Sequence, residues 1–416
     1  MPTRRDILWL FGIAGWSLSD VSESKAATVL NPVRVRAIAA GVELTPAFEL
    51  ERVDMALATL QRAKQTFAAA GYDVQALRVV SNPVIATLSP TARDKALDQL
   101  KRIDERVAAH GAVFNTGPVV TEDRADEGLV EWSQALVRAT RSISFSTVIA
   151  SPERGVMPKV AATTARIMIA LSRALPEGLA NFRFAAAANI PAGTPFFPVA
   201  WHQGPDSLAI GMESASVVER AFASLREGED ATEKLRSALN EVLAPVEKLA
   251  SEIAQREKRQ YIGIDTSPAP AKDRSIAAAI EALTHAPFGN AGTLEACSII
   301  TAGVKSVAVR TCGYSGLMLP VLEDPLLARR AGENRYGIRD VLLYSSVCGT
   351  GLDVIPIPGD TPAESISGLL RDVASLATRL RKPLSARLFL VPNKKAGEMA
   401  RFDDPVLTDS VVMKLD

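Results

Sequence analysis

The chain has 416 residues, 47% hydrophobic and 23% charged, and its 47 basic and 47 acidic side chains cancel. A nucleic-acid surface needs a basic excess to neutralise phosphates, so no nucleic-acid partner is expected. Three cysteines (Cys297, Cys312, Cys348) and three histidines (His110, His202, His285) are too few for a disulfide framework, a paired-cysteine zinc module or a histidine-rich metal cage.

The N-terminus reads differently from the rest. Thr3-Arg4-Arg5-Asp6-Ile7-Leu8 leads into an apolar run to Leu18, then polar residues and Ser24-Lys25-Ala26, with small residues where a signal peptidase reads. Residues 1–26 therefore read as a twin-arginine-like export signal, with the mature chain starting near Ala27 and located in the periplasm. A frayed leader on a cytoplasmic protein is the competing reading. The apolar run is about a dozen residues, too short to span a bilayer, so no integral membrane segment is expected in the mature chain.

Strands and helices then alternate. Charged and branched residues alternate over 33–38, a strand; apolar residues at helical spacing over 48–70 predict a helix closed at Gly71. A strand at 74–80, a helix at 91–109 opened by Ser89-Pro90, and a strand at 112–114 follow. Next come a helix at 129–140, a strand at 143–149, a helix at 158–175 and strands at 182–188, 198–202 and 208–212. Helices at 214–225 and 231–256 lead to a strand at 261–265. Helices at 275–283 and 293–303, a strand at 306–309, a helix at 320–330, a strand at 339–345, a helix at 366–380 and a strand at 385–390 complete the series. This alternation predicts an α/β fold with parallel pairing. No composition shift divides 27–416, which reads as one domain; the most linker-like passage is 266–274.

Standard nucleotide, zinc-protease and hydrolase motifs are absent, so chemistry is sought in three other stretches. The first is 189–204, where Asn189, Pro191, Pro195 and Pro198 fix a path that ends on His202, the side chain that titrates near neutrality. Glu213 follows at a strand end, either in the site or stabilising a helix N-terminus. The second is 313–324, where Gly313 and Gly316 permit a turn that lets Tyr314 and Ser315 face a pocket; Asp324 belongs to that pocket or to a solvated helix face. The third is the turn around Cys348, after the expected strand at 339–345, with Gly349 and Gly351 allowing close approach of a ligand. There Cys348 is a nucleophile or inert packing, Asp353 orients or deprotonates a partner, and Asp360 binds a ligand or caps the loop. Lys382 and Arg387 are candidate anion binders.

The runs 189–202, 313–324 and 344–360, with 268–275 and 288–294, resemble those of the domain-of-unknown-function family 711, over essentially the whole mature chain. That family is similar in fold to pyruvate formate-lyase and anaerobic ribonucleotide reductase. The resemblance implies a ten-stranded α/β barrel with helices outside and a central inserted loop, which would carry Cys348. The radical enzymes raise a thiyl radical on that loop from a glycyl radical near the C-terminus. The last glycine here, Gly397, lacks the arginine-valine-x-glycine-tyrosine context, which disfavours a radical mechanism.

The expected function is thus a non-radical enzyme acting on an unidentified small molecule. Cys348, Asp353, His202 and Glu213 carry the chemistry, and Asn189, Tyr314, Ser315, Asp324, Gly349, Gly351 and Asp360 hold the ligand. Capture without turnover is the alternative, as is a divalent metal bound by His202, Glu213 and Asp353. No cofactor is identified, and a homo-oligomer is left open.

Overall fold

Strand β1 (Arg34–Val42) shows how this sequence builds a two-sided sheet. Val35 joins the large core under the helices, which leaves Arg34 and Arg36 on the opposite face. The pairing with β7 (Ser207–Glu213) then shifts, Val35 facing Met212 but Ala37 facing Gly211, so that Arg36 is one residue extra. Beyond this bulge Ile38, Ala40 and Val42 take over the helix-facing side while Ala39 joins a small cluster on the other face.

The structure is a computed structural model that describes residues 33–415. The 1–26 leader and the start near Ala27 lie outside those residues. The other long strands are β2 (Leu77–Ser81), β3 (Ala112–Pro118), β4 (Ile143–Ser151), β6 (Phe184–Ala188), β8 (Gln260–Asp265), β9 (Gly351–Pro358) and β10 (Leu384–Val391). With the two-residue β5 (Gly155–Val156), which pairs only with β4, they form a ten-stranded sheet in the order β8-β7-β1-β2-β3-β4-β6-β10-β9. The expected parallel pairing holds for β1-β2-β3-β4-β6 and within the pairs β7-β8 and β9-β10. Among the long strands it fails at two antiparallel seams, β1 with β7 and β6 with β10, and the short β5 also pairs antiparallel with β4. Two sets of strands therefore run in opposite directions.

Regular pairing does not close this sheet into a ring. Between the outer strands β8 and β9 lies the segment 310–321, which touches both through isolated parallel bridges, Thr311 with Ile264 and Pro320 with Asp353.

Three expected strands are not formed. Residues 198–202 are irregular and use their backbone against the sheet end, the His202 amide donating to the Ser81 carbonyl (3.1 Å). Residues 306–309 run beside the long helix Ala231–Arg256, whose side chains replace a neighbouring strand: the Ala308 amide donates to Asn240 (2.7 Å) and the Arg310 amide to Glu247 (2.6 Å). The stretch 339–345 is helical (Ile338–Tyr344), with the Asp340 carboxylate accepting from the Gly337 amide at its start (2.7 Å). Cys348 accordingly follows a helix, and the strand is β9, three residues later. Pro356 and Pro358 are tolerated in β9 because it ends the sheet path and pairs regularly only with β10.

Candidate functional site

On the sheet face away from the main core, alternation leaves a set of charged side chains with nowhere to go but inward. In β2, Leu77 and Val79 join the helix-side core, which turns Arg78 to the inner face. In β10, Ala386 and Leu388 do the same and Arg387 turns inward. In β9 the register shifts, Ala386 facing Leu352 but Leu388 facing Ile355, so Asp353 and Val354 both oppose Arg387. Val354 takes φ 46°, a conformation that β-branched residues rarely adopt. The bulge keeps Leu352 and Ile355 in the helix-side core while Asp353 faces in.

These residues wall a cavity of about 80 Å³, together with Glu323, Arg36, Phe196, Phe197, Met318 and Val406. Arg387 bridges two carboxylates: Nε donates to Asp353 Oδ1 (2.8 Å) and Nη2 to Glu323 Oε1 (2.7 Å). Arg36 Nη2 donates to the other Glu323 oxygen (2.7 Å) and Nη1 to Gln75 (3.1 Å). The Arg387 guanidinium also lies 4.6 Å from the Phe182 ring centroid. Arg78 differs: its Nη1 donates to the Pro195 carbonyl (2.6 Å), while its Nε is buried without a partner.

Burial dominates the electrostatics. It pushes the Asp353 carboxyl above its usual range, helped by the like charge of Glu323 and opposed by Arg387. It lowers the Arg78 guanidinium to about 9, with Arg36 and Arg387 adding repulsion. Arg387 is raised despite burial, because Asp353 and Glu323 both stabilise its charge.

The four side chains expected to carry chemistry share no hydrogen bond or ion pair with one another, although two of them border the same network. Cys348 is fully buried in the main hydrocarbon core, its amide donating to the Tyr344 carbonyl (2.8 Å) and its carbonyl accepting from Lys382 Nζ. It is absent from the cavity lining. Lys382, expected to bind an anion, clamps that turn instead, donating also to the Ser346 carbonyl (3.0 Å). His202 is buried against Ser207 Oγ (3.1 Å) and the Gly204 carbonyl (2.9 Å), and burial lowers its imidazole. Ser207 and Glu213 are the two ends of β7, which separates the histidine from the carboxylate by about 20 Å. Glu213 is fully buried and neutralised by Arg34 (3.1 Å), with Arg36 and Arg274 each at 3.6 Å. It thus stands behind Arg36, and although it directly precedes the helix Ala215–Ala223 its carboxylate is engaged by arginines. Among the described residues no group of histidine, cysteine, aspartate and glutamate side chains is arranged to hold a metal, so the expected set His202, Glu213 and Asp353 is not assembled.

The ligand-binding candidates divide in the same way. Tyr314 and Ser385 border a small void that shares Asp353 and Arg387 with the main cavity, the Tyr314 hydroxyl donating to Ser385 Oγ (2.7 Å). Ser315 turns away: its amide donates to Asp265 (3.0 Å) and its hydroxyl to the Cys312 carbonyl (2.8 Å). Asp324 is fully buried, not on a solvated face. It caps Pro325–Gly332 through Leu326 (3.0 Å) and Leu327 (3.1 Å), and also accepts from Ile276 (2.7 Å) at the start of a second helix. Asn189 sits at φ 55° with its amide on the Ala150 carbonyl (3.0 Å), and Asp360 is exposed in the turn after β9. Gly349 and Gly351 approach protein, not ligand. A Cβ on Gly349 would lie 2.3 Å from Gly316 Cα, and one on Gly351 2.3 Å from the Ser385 carbonyl.

Arg36, Arg78 and Glu323 escaped the sequence reading. Their signal was present: Arg34 and Arg36 in VRVRAIAA, Arg78 in LRVVS and Arg387 in SARLFLV are charges in otherwise apolar strands. Asp265 was also missed; it accepts from Ser267 Oγ (2.6 Å) and from the Tyr314 (2.8 Å) and Ser315 amides, and burial pushes it up to about 6.

No helix of the described residues is long and apolar enough to cross a membrane. Among solved structures, the anaerobic ribonucleotide reductase of Thermotoga maritima, in complex with dATP and CTP, aligns over 92% of this chain and 79% of its own, with 9% identity and a TM-score of 0.40. A UPF0210 protein of Pyrobaculum aerophilum is 29% identical over 347 residues, covering 79% of this chain and 76% of the relative. A second, from Pyrobaculum islandicum, is 26% identical over 411 residues, covering 92% and 90%. The family model described as Uncharacterised ACR (DUF711) matches residues 30–403, and the chain belongs to that family.

Proposed function

We propose that this chain binds a small molecule in the cavity on the inner sheet face and exchanges a proton with it through Asp353, without a glycyl radical. The observation that carries this reading is the asymmetry of the two carboxylates bridged by Arg387. Both Glu323 oxygens are taken, one by Arg387 and one by Arg36, whereas both bonds to Asp353 fall on Oδ1. Asp353 Oδ2 is thus uncommitted among the described residues, on a carboxyl that burial already biases toward its neutral form. A carboxyl of that kind at a cavity wall suits general acid or base work. Backbone strain supports the same place, since the left-handed Val354 is adjacent and strained residues collect at functional sites.

The bridges from Thr311 to β8 and from Pro320 to β9 support reading the sheet as wrapping round this cavity in the manner of a barrel. Capture without conversion is the competing reading, and the complete pairing of Glu323 favours it, because a fixed ion pair orients a ligand without moving protons. Thermal-shift screening of purified protein against small metabolites, followed by mass spectrometry of the incubated hits, separates the two. Asp353→Asn should keep binding and lose product. Product formation at the wild-type rate by that variant removes Asp353 from the chemistry, and hits that are never converted leave capture.

A further inference from the structure

We infer that the ligand is a small monoanionic carboxylate seated on Arg78, an inference that rests on the cavity being a small-molecule site. Arg78 is 7% exposed and has no carboxylate within ion-pair distance among the described residues. Its neighbours are better provided. Arg36 has Glu323, and Arg387 has Glu323 and Asp353. Arg78 makes one hydrogen bond, to the Pro195 carbonyl, and buries its Nε–H unpartnered. A guanidinium carries five donors in a planar fork, so most of its capacity is unused.

Burying a cation without a counter-charge is unfavourable, and the cavity wall shows the imbalance. On the wall itself three guanidiniums (Arg36, Arg78, Arg387) face two carboxylates (Glu323, Asp353), one positive charge in excess when all are ionised, while Glu213 behind the wall is shared among Arg34, Arg36 and Arg274. One anionic ligand balances it. The Phe197 ring lies 5.7 Å from the Arg78 guanidinium carbon and packs beside the fork that would meet a carboxylate. Size narrows the class further. The cavity of about 80 Å³ is roughly half the volume that accepts benzene in an engineered core, which fits an acid of about two to four carbons. Ala76, Phe196, Met318 and Val406 offer apolar surface to its alkyl end.

Calorimetric titration of the full chain with sodium propionate, butyrate and pyruvate, and with propionamide as a neutral match, tests the assignment. Wild type should prefer propionate to propionamide by at least about tenfold, the scale of a lost charge-assisted pair. Arg78→Met should erase that preference by weakening the carboxylates alone. Arg78→Lys, which keeps charge but loses the fork, should fall between. Ligand-free Arg78→Met should melt no lower than wild type, because an unpaired buried cation has gone. Equal binding of propionate and propionamide to wild type, no carboxylate binding at all, or carboxylate affinity undiminished in Arg78→Met overturns the assignment. Ala76→Phe, which fills the cavity, separates the two levels. If it abolishes binding of neutral ligands while Arg78→Met spares the acids, the cavity stands and the anion assignment falls. If it leaves all binding intact, the cavity reading itself falls.

Discussion

The turn at Cys348 and the bulge at Asp353 lie five residues apart and are opposite in character. Around Cys348 the polar groups are spoken for: Lys382 caps the Ser346 and Cys348 carbonyls, the Gly349 amide donates to the Leu317 carbonyl (3.0 Å), and the thiol is buried in the main core within electrostatic reach of Lys382 and Cys297. Around Asp353 several groups are uncommitted: Asp353 Oδ2, Arg78 Nε and, on the segment that brings Val406 to the cavity, Asp404 Oδ2. A saturated region is built to be rigid, and one with unspent donors and acceptors is built to receive something. The glycines near the thiol mark a place where two backbones cross. The charges on apolar strands mark the proposed site.

The largest effect is expected at the backbone crossing. Gly349→Ala puts a Cβ 2.3 Å from the Gly316 backbone, so we expect a loss of about 4 kcal/mol by denaturant unfolding, or no soluble protein. Stability within about 1 kcal/mol of wild type means the loop has room and could admit a ligand. Next in size is Arg387→Met, which strands Asp353 as a buried unpaired carboxylate, leaves Glu323 with Arg36 alone, and should cost about 3 kcal/mol at pH 7. Much of that loss should return when Asp353→Asn is added, a recovery that no purely steric effect predicts.

Cys348→Ala removes one sulfur from a packed core and should cost about 1 kcal/mol. The native thiol should resist iodoacetamide until the protein is denatured, and rapid alkylation of folded protein refutes the packed assignment. A pH-dependent effect belongs to Asp404, whose Oδ1 accepts from Val406 (2.8 Å) and Leu407 (2.9 Å) while Oδ2 is buried alone. Burial pushes its carboxyl from 3.8 up to about 6. The folded state therefore holds this proton more tightly than the unfolded state, and the associated stability is full below about pH 3.8 and lost as pH rises through about 6. Asp404→Asn should leave the melting temperature unchanged at pH 4 and raise it at pH 7.5 by the equivalent of at most about 3 kcal/mol. A fall at pH 7.5 shows that the charge is compensated.

Much of the architecture was legible because periodicity survives in a single sequence: the helix predicted at 231–256 is formed as Ala231–Arg256, and the charged-apolar alternation at 33–38 opens β1. The misreadings have local causes. Ile338–Tyr344 is only seven residues, too short for the apolar period to separate helix from strand, and the helix is decided by Asp340 reaching back to Gly337. Strand β9 carries two prolines, which read as a loop until its place at the end of the sheet path is known. Glycine density around Cys348 is the same in sequence whether a ligand or another backbone approaches, and only the fold brings Gly316 there. Arg78 and Arg387 were visible as charges in apolar strands, but their convergence with Glu323 depends on pairing across more than 300 residues of chain. The bulges that aim Arg36 and Asp353 leave no sequence signature of their own.

The central claim is that small molecules meet this protein at the Arg387–Asp353 cavity and not at the thiol. Ligand-induced thermal shifts over one panel of small carboxylates, recorded for wild type, Cys348→Ala and Ala76→Phe, test it most directly. The account expects Cys348→Ala to keep every wild-type shift and Ala76→Phe, still showing a cooperative melt of its own, to lose them. Shifts that vanish with the sulfur and persist in the filled cavity would contradict it.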